Sequence, residues 1–421
     1  MNAKVEAPVV SESGIRLGNA KTTVQQDPIF ELLQAYRRDS RADKIDLGIG
    51  VYRDHANQSP VFDAVKQAEQ WRVDNESDKA YVGPLGDGEF CQSIVDLAFG
   101  EALAAQLDQR LAYAQTPGGV GALRLAFELL EESLPRATLW ISDTTWQVHR
   151  PIAAAAGLTL REYRYYDAQT GAASFEELLA SLDKASPGDA ILLQVSCHNP
   201  TGLDLTPEQW QLMADACAAR QLLPVMDMAY HGLGQGLESD RLGLQIMAAT
   251  VPELLLCYTC SKNFGLYRDR TGMVLAMTQS NDKKMAVEKQ WAQLATRHYF
   301  TPPAHGAMLV KRILNNPELR ATWETELLAI SDRISNVRAQ LFEALSAKVA
   351  TRDWTFLTQG HGMFALFPLD RQEIQYLRDH HGIYIVDNGR VNLSGFNRLN
   401  IERAIDAMAA TIDRVEPESC G

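Results

Sequence analysis

Residues 190–202 read Ala190-Ile191-Leu192-Leu193-Gln194-Val195-Ser196-Cys197-His198-Asn199-Pro200-Thr201-Gly202. The apolar run over 190–196 has strand length and stops at Asn-Pro-Thr-Gly, a turn-forming tetrapeptide, so it reads as a buried strand. Thr206-Pro207-Glu208 is a helix start, with a hydroxyl N-cap and a proline in the first turn, and the helix it opens runs to Arg220. A second apolar run, 222–227, then ends in Asp227. Strand, helix and strand in close succession form a parallel unit, because a parallel return needs a crossover long enough to hold a helix.

The alternation extends in both directions. Helices are expected over 61–75, 121–133 and 175–185, and strands over 138–142, 160–166, 254–260 and 272–277. This pattern predicts an α/β fold: a mostly parallel sheet covered by helices, with ligands beyond the carboxyl ends of its strands. The last third changes character. A long helix from 318 to about 349 leads to short strands near 354–357 and 363–367, a helix over 371–381, strands near 383–386 and 390–393, and a closing helix over 400–415. Asp27-Pro28 opens a short N-terminal helix, and 44–52 reads as a short strand broken by glycines. The expected division is a polar leader over 1–25, a segment over 26–60 joining a smaller α+β domain, a large domain over 61–325, and a small C-terminal domain over 326–421.

Length and composition bound the function. With 421 residues there is chain for two packed domains, and 46% apolar with 22% charged residues excludes a disordered or collagen-like protein. Forty Lys and Arg against 53 Asp and Glu leave a net charge of −13, which disfavours nucleic acid and anionic membranes as partners. The six cysteines lack the paired spacing of a zinc site, so no metal is expected and reduced thiols in the cytoplasm are. Residues 1–21 have no apolar core of signal-peptide length, and no run of about 18 apolar residues is present to span a bilayer.

Three strand ends carry chemistry. The 190–196 run leads to Asn199, the 222–227 run delivers Asp227 with Tyr230 shortly after, and the 254–260 run delivers Ser261-Lys262-Asn263. Singly, a lysine after a strand is usually solvated and an aspartate there usually caps a turn or helix. Together they gather an amide, a carboxylate, a phenol and an amine along one edge of one sheet.

These residues and the motifs around them resemble the aspartate and aromatic aminotransferases, fold-type I enzymes that use pyridoxal 5'-phosphate. The likeness covers nearly the whole chain. It is carried by Leu47-Gly48-Ile49-Gly50-Val51-Tyr52, Thr116-Pro117-Gly118-Gly119, Cys197-His198-Asn199-Pro200-Thr201-Gly202 and Asp227-Met228-Ala229-Tyr230, followed by Ser261-Lys262-Asn263-Phe264-Gly265-Leu266-Tyr267, Pro302-Pro303-Ala304-His305-Gly306 and Gly389-Arg390-Val391-Asn392. The resemblance implies a large domain with a seven-stranded sheet, pyridoxal 5'-phosphate as cofactor, amino acid and keto acid substrates, and a homodimer with sites shared between subunits. It implies Lys262 as the amine that holds the cofactor as a Schiff base and shuttles the substrate α-proton through ping-pong half-reactions. Asp227 would face the pyridine nitrogen and keep it charged, while Tyr230 and Asn199 would donate to the phenolic oxygen. Trp146 would stack on the ring. Backbone amides of Gly118, Gly119 and Val120, the hydroxyls of Thr259 and Ser261, and Arg270 would hold the phosphate, joined by Tyr81 of the neighbouring subunit. Arg390 would grip the substrate α-carboxylate as a bidentate pair, with Gly50, Trp146 and Asn199 beside it.

Two positions depart from the family pattern. Val120 stands where Thr or Ser is usual, which removes a hydroxyl donor worth ~1 kcal/mol of phosphate affinity. Thr296 stands where relatives acting on dicarboxylates carry an arginine lent by the partner subunit, and Thr296 cannot pair with a side-chain carboxylate. Arg297 is adjacent, Arg268 lies in a nearby loop, and His298, Tyr299 and Phe300 add aromatic surface. The expectation is an aminotransferase that moves the amino group of an aromatic or bulky uncharged L-amino acid to a 2-keto acid such as 2-oxoglutarate. An aspartate aminotransferase with an atypical carboxylate site and a β-lyase using the same cofactor are the alternatives.

Overall fold

The computed structural model describes residues 28–168 and 170–415, so the expected leader over 1–25, the helix start at Asp27 and Cys420 lie outside the described residues. Seven strands form the central sheet in the order Leu111–Pro117, Thr271–Met277, Leu254–Thr259, Leu223–Met228, Ala190–Gln194, Thr138–Ser142, Thr159–Tyr163. Thr271–Met277 runs antiparallel to both neighbours, and every other pair is parallel.

Side-chain alternation splits each strand between two cores. In Leu254–Thr259, Leu255 and Cys257 pack with Leu123, Ala126 and Phe127 of the helix Gly118–Ser133. Leu256 and Tyr258 face the other way, toward the core that holds Met213, Leu244 and Trp323 from the helices Pro207–Arg220, Leu237–Thr250 and Pro317–Lys348. Because both faces are covered, all six residues of this strand are buried, and it reads in sequence as an unbroken apolar run.

The helix Pro207–Arg220 matches its expected span. Thr206 Oγ1 accepts from Gln209 N at 3.2 Å, and Gln209 Oε1 accepts from Thr206 N at 3.0 Å, a reciprocal cap that fixes where the helix begins. Two expectations need correction, and one strand is unforeseen. The strand over 190–196 ends at Gln194, so Gln194 is its tip. Leu111–Pro117 is a strand that the sequence leaves unassigned. Ala112, Ala114 and Gln115 are poor strand formers, and seven-residue pairing with Thr271–Met277 imposes the extended state. The strand expected near 354–357 is instead a short helix, Phe356–Gln359. Asp353 accepts from both Thr355 N and Thr355 Oγ1 at 2.9 Å, folding the chain so that Trp354, Phe356 and Leu357 are all buried.

A further core joins Ile45 and Leu47 to Leu341, Leu345, Leu377 and Ile405. Ile45–Asp46 pairs in parallel with Ile383–Tyr384, and Phe364–Leu366 pairs antiparallel with Arg390–Asn392. These pairings bring the N-terminal segment and Arg390 over the central sheet. No helix among the described residues is long and apolar enough to cross a membrane.

Candidate active site

A cavity of about 240 Å³ opens at the strand tips, and Lys262 is part of its lining. The lysine follows Leu254–Thr259 in a turn closed by Gly265 N donating to Lys262 O at 3.1 Å. Its Nζ lies 4.8 Å from the ring centroid of Tyr230. The side chain opens into the cavity, but loss of bulk water around the amine pushes its pKa down to about 8. The charge of Asp227 opposes this shift, and the charges of Arg270 and Arg390 reinforce it. The lysine is therefore poised to lose and regain a proton near neutrality.

Asp227 lies in the middle of the sheet, with Gln194 and Cys257 as its partners on the flanking strands. It is buried, and its Oδ2 lies 2.9 Å from His149 Nε2. Tyr230 is buried as well, and burial pushes its phenol upward while the Arg390 charge pulls the other way. Asn199 bridges two groups: its Nδ2 donates to Tyr230 Oη at 3.2 Å, and its Oδ1 accepts from Arg390 Nη1 at 3.4 Å. Arg390 Nη2 donates to Gly48 O at 2.6 Å, and its guanidinium lies 4.5 Å over the ring of Phe364.

Elsewhere in the cavity wall, the helix Gly118–Ser133 begins beside Arg270, with no acidic residue in its first turn. Thr259 Oγ1 and Ser261 Oγ are 2.9 Å apart, and Arg270 Nη1 donates to Tyr267 O at 3.0 Å and Ser261 Oγ at 3.5 Å. A helix N-terminus, two hydroxyls and a guanidinium make a cup for a multivalent anion. Trp146 forms part of the same wall, its ring edge-on to His149 at 5.3 Å.

The structure thus brings Lys262, Asp227, Tyr230, Asn199, Trp146 and Arg390 to one cavity, together with Gly50, Gly119, Val120, Thr259, Ser261 and Arg270. Gly118 stands directly behind Arg270. Three expected residues lie outside this cavity. Tyr81 is 84% exposed, with its ring edge-on to Phe300 at 5.7 Å. Thr296 Oγ1 donates to Ala292 O within its own helix, and Arg297 Nη2 pairs with Glu132 Oε1 at 2.9 Å. Sequence reasoning missed Ile29, Gln194, Tyr267 and Phe364, which line the cavity, and His149, which supports it. Of these, Gln194 alone had a usable signal, a polar residue at a strand tip, and the overlong strand concealed it.

The fold and this site define an α/β transferase with its reactive amine at the tip of a sheet strand. The chain belongs to the class I and II aminotransferase family, whose profile, "Aminotransferase class I and II", matches residues 42–408, and it is a transaminase. It is 42% identical over 386 residues to an aromatic-amino-acid aminotransferase of Pseudomonas aeruginosa, covering 92% of this chain and 96% of that protein. It is 40% identical over 391 residues to an aspartate aminotransferase of Escherichia coli, covering 93% and 99%. Among solved structures, an aromatic-amino-acid aminotransferase from Burkholderia pseudomallei, covalently bound to pyridoxal phosphate, superposes with a TM-score of 0.90 at 34% identity, covering 94% of this chain and 100% of that one.

Proposed function

We propose that this aminotransferase uses pyridoxal 5'-phosphate to move the amino group of an aromatic or bulky uncharged L-amino acid to a 2-keto acid such as 2-oxoglutarate. The observation that carries the reading is the cavity's cation pattern. Lys262, Arg270 and Arg390 are its basic side chains, and no further guanidinium lines it among the described residues to receive a side-chain carboxylate. The donor set fits the cofactor. The cup at Gly118, Thr259, Ser261 and Arg270 suits a phosphate, Lys262 supplies an amine for an aldehyde, and Asp227 supplies a buried carboxylate in the same cavity.

When bound, the cofactor supplies a conjugated ring able to accept electrons from the substrate α-carbon. The protein's part is positioning and proton transfer. Asp227, held by His149, would stabilise positive charge at a ring nitrogen. Lys262, with its pKa near 8, accepts the α-proton and returns it. Arg390 orients an α-carboxylate while braced by Gly48, Asn199 and Phe364. Ile29 and Phe364 give the substrate end apolar walls, which favour an uncharged side chain over a carboxylate.

Tyr81 we assign to the partner's phosphate cup in a homodimer, with Thr296 and Arg297 also near the subunit boundary. Two exposed aromatic rings packed on each other, Tyr81 and Phe300, are apolar surface that association would cover. We divide the chain at 60 and 325. In support, Ile45 and Leu47 share a core with Leu341 and Ile405, although the helix Pro317–Lys348 crosses the second boundary. The cytoplasm is the proposed location, in keeping with five described cysteines that are all free and buried.

A panel of amino donors with 2-oxoglutarate tests the substrate reading. Phenylalanine or tyrosine should react well and aspartate poorly; equal rates with aspartate and phenylalanine would refute it. Borohydride reduction of the cofactor-loaded protein, followed by peptide mapping, should find the adduct on Lys262.

A further inference from the structure

We propose that Gln194 sets the direction of a hydrogen-bond chain ending at Asp227, and thereby holds His149 in the tautomer that donates from Nε2 to that carboxylate. Gln194 is a positioning residue in this account, and the account rests on reading Asp227 as the group that faces the cofactor ring.

Gln194 ends its strand directly beside Asp227, its register partner. Its amide makes three hydrogen bonds. Oε1 accepts from Asn199 N at 2.9 Å, while Nε2 donates to Asn199 O at 3.0 Å and to Thr145 Oγ1 at 3.4 Å. A backbone N–H can only donate and a carbonyl can only accept, so the main chain of Asn199 decides which end of the amide is nitrogen. The end turned toward Thr145 is therefore a donor, and the threonine oxygen receives its hydrogen.

Among the described residues, the one other partner of that hydroxyl is His149 Nδ1, at 2.8 Å. The hydroxyl hydrogen points there, so Nδ1 accepts and the imidazole hydrogen resides on Nε2, which lies 2.9 Å from Asp227 Oδ2. The other end of the chain demands the same polarity, because an ionised carboxylate can only accept. A doubly protonated His149 would instead leave Thr145 with two donors and no acceptor for its own hydrogen. An amide has no proton to lose, so the direction imposed by Asn199 does not reverse. The same amide pins the backbone of Asn199, whose side chain sits between Tyr230 and Arg390. Gln194 thus orders the ring-nitrogen side and the carboxylate side of the cavity together.

The test is the imidazole ¹⁵N–¹H spectrum of the full chain labelled at histidine, recorded with and without pyridoxal 5'-phosphate and assigned by loss of the signal in His149→Gln. Wild type and Thr145→Ser should show His149 only as the Nε2–H form. In Gln194→Glu the carboxylate cannot donate to Thr145, so a signal from protonated Nδ1 should appear; Gln194→Leu and Thr145→Val should give mixed tautomers. An Nδ1–H form in the wild type would overturn the proposal. So would an unchanged Nε2–H form in all three altered chains with wild-type circular dichroism, since Asp227 alone would then set the tautomer. Cofactor uptake, read by absorbance, is scored separately. A wild type that binds no pyridoxal 5'-phosphate yet shows the Gln194-dependent tautomer would sink the functional reading and leave this one standing.

Discussion

A β-carbon on Gly118 would lie 2.6 Å from Nη2 of Arg270. The first residue of a helix and a guanidinium at the start of the neighbouring strand, Thr271–Met277, thus crowd one space, and the proposed phosphate cup depends on position 118 having no side chain. Gly118 also has φ +71°, a left-handed conformation that costs an L-residue roughly 1–2 kcal/mol. Gly118→Ala should therefore weaken pyridoxal 5'-phosphate binding by roughly tenfold, about 1.4 kcal/mol, through displacement of Arg270. Titration of the cofactor absorbance measures this; unchanged affinity would show that the guanidinium is not part of the cup.

The depressed pKa of Lys262 makes stability depend on pH. An unfolded lysine keeps its proton to about pH 10.4, whereas the folded amine loses it near 8. Between these values the unfolded chain binds more protons, so this residue's contribution raises stability as pH rises through the window, and its full cost is felt below about pH 8. Lys262→Met should stabilise the cofactor-free protein most at ~pH 7, with the gain in Tm shrinking toward ~pH 10. A gain that is constant with pH would contradict the shift.

Thr296→Arg places a cation where the family resemblance implies one in enzymes acting on dicarboxylates. It should raise kcat/KM for aspartate by roughly 10- to 100-fold, leaving phenylalanine within about threefold. Steady-state kinetics on both donors decide the matter, and no gain with aspartate would mean that position 296 does not reach the substrate.

If Tyr81 serves the partner's site, two damaged chains should complement. Lys262→Ala alone should be inactive, and Tyr81→Ala alone impaired at limiting cofactor. Random reassociation of equal amounts should restore up to about a quarter of wild-type activity, because half of the dimers then hold one intact site out of two. Absence of recovery, with mixed dimers present by mass, would place Tyr81 outside the site.

The legibility of this protein follows the range of the interactions involved. The Thr206–Gln209 cap and the apolar run 254–259 are local, so composition and spacing alone mark a helix start and a buried strand. Lys262 and Asp227 were legible for a related reason: strand tips are adjacent in any parallel sheet, so polar residues there converge whatever the rest of the chain does. The strand Leu111–Pro117 was not, because its extended state comes from pairing with Thr271–Met277 rather than from its own residues.

Sequence by itself therefore determined the α/β architecture, the family, and the cluster of an amine, a carboxylate and an anion cup, because each follows from local pattern or strand-end topology. Only the tertiary structure decided that Ile29 and Phe364 line the cavity, that His149 backs Asp227, and that Gln194 reaches Thr145. Those contacts join segments distant along the chain, and their geometry depends on how two cores pack against each other, which no local spacing encodes.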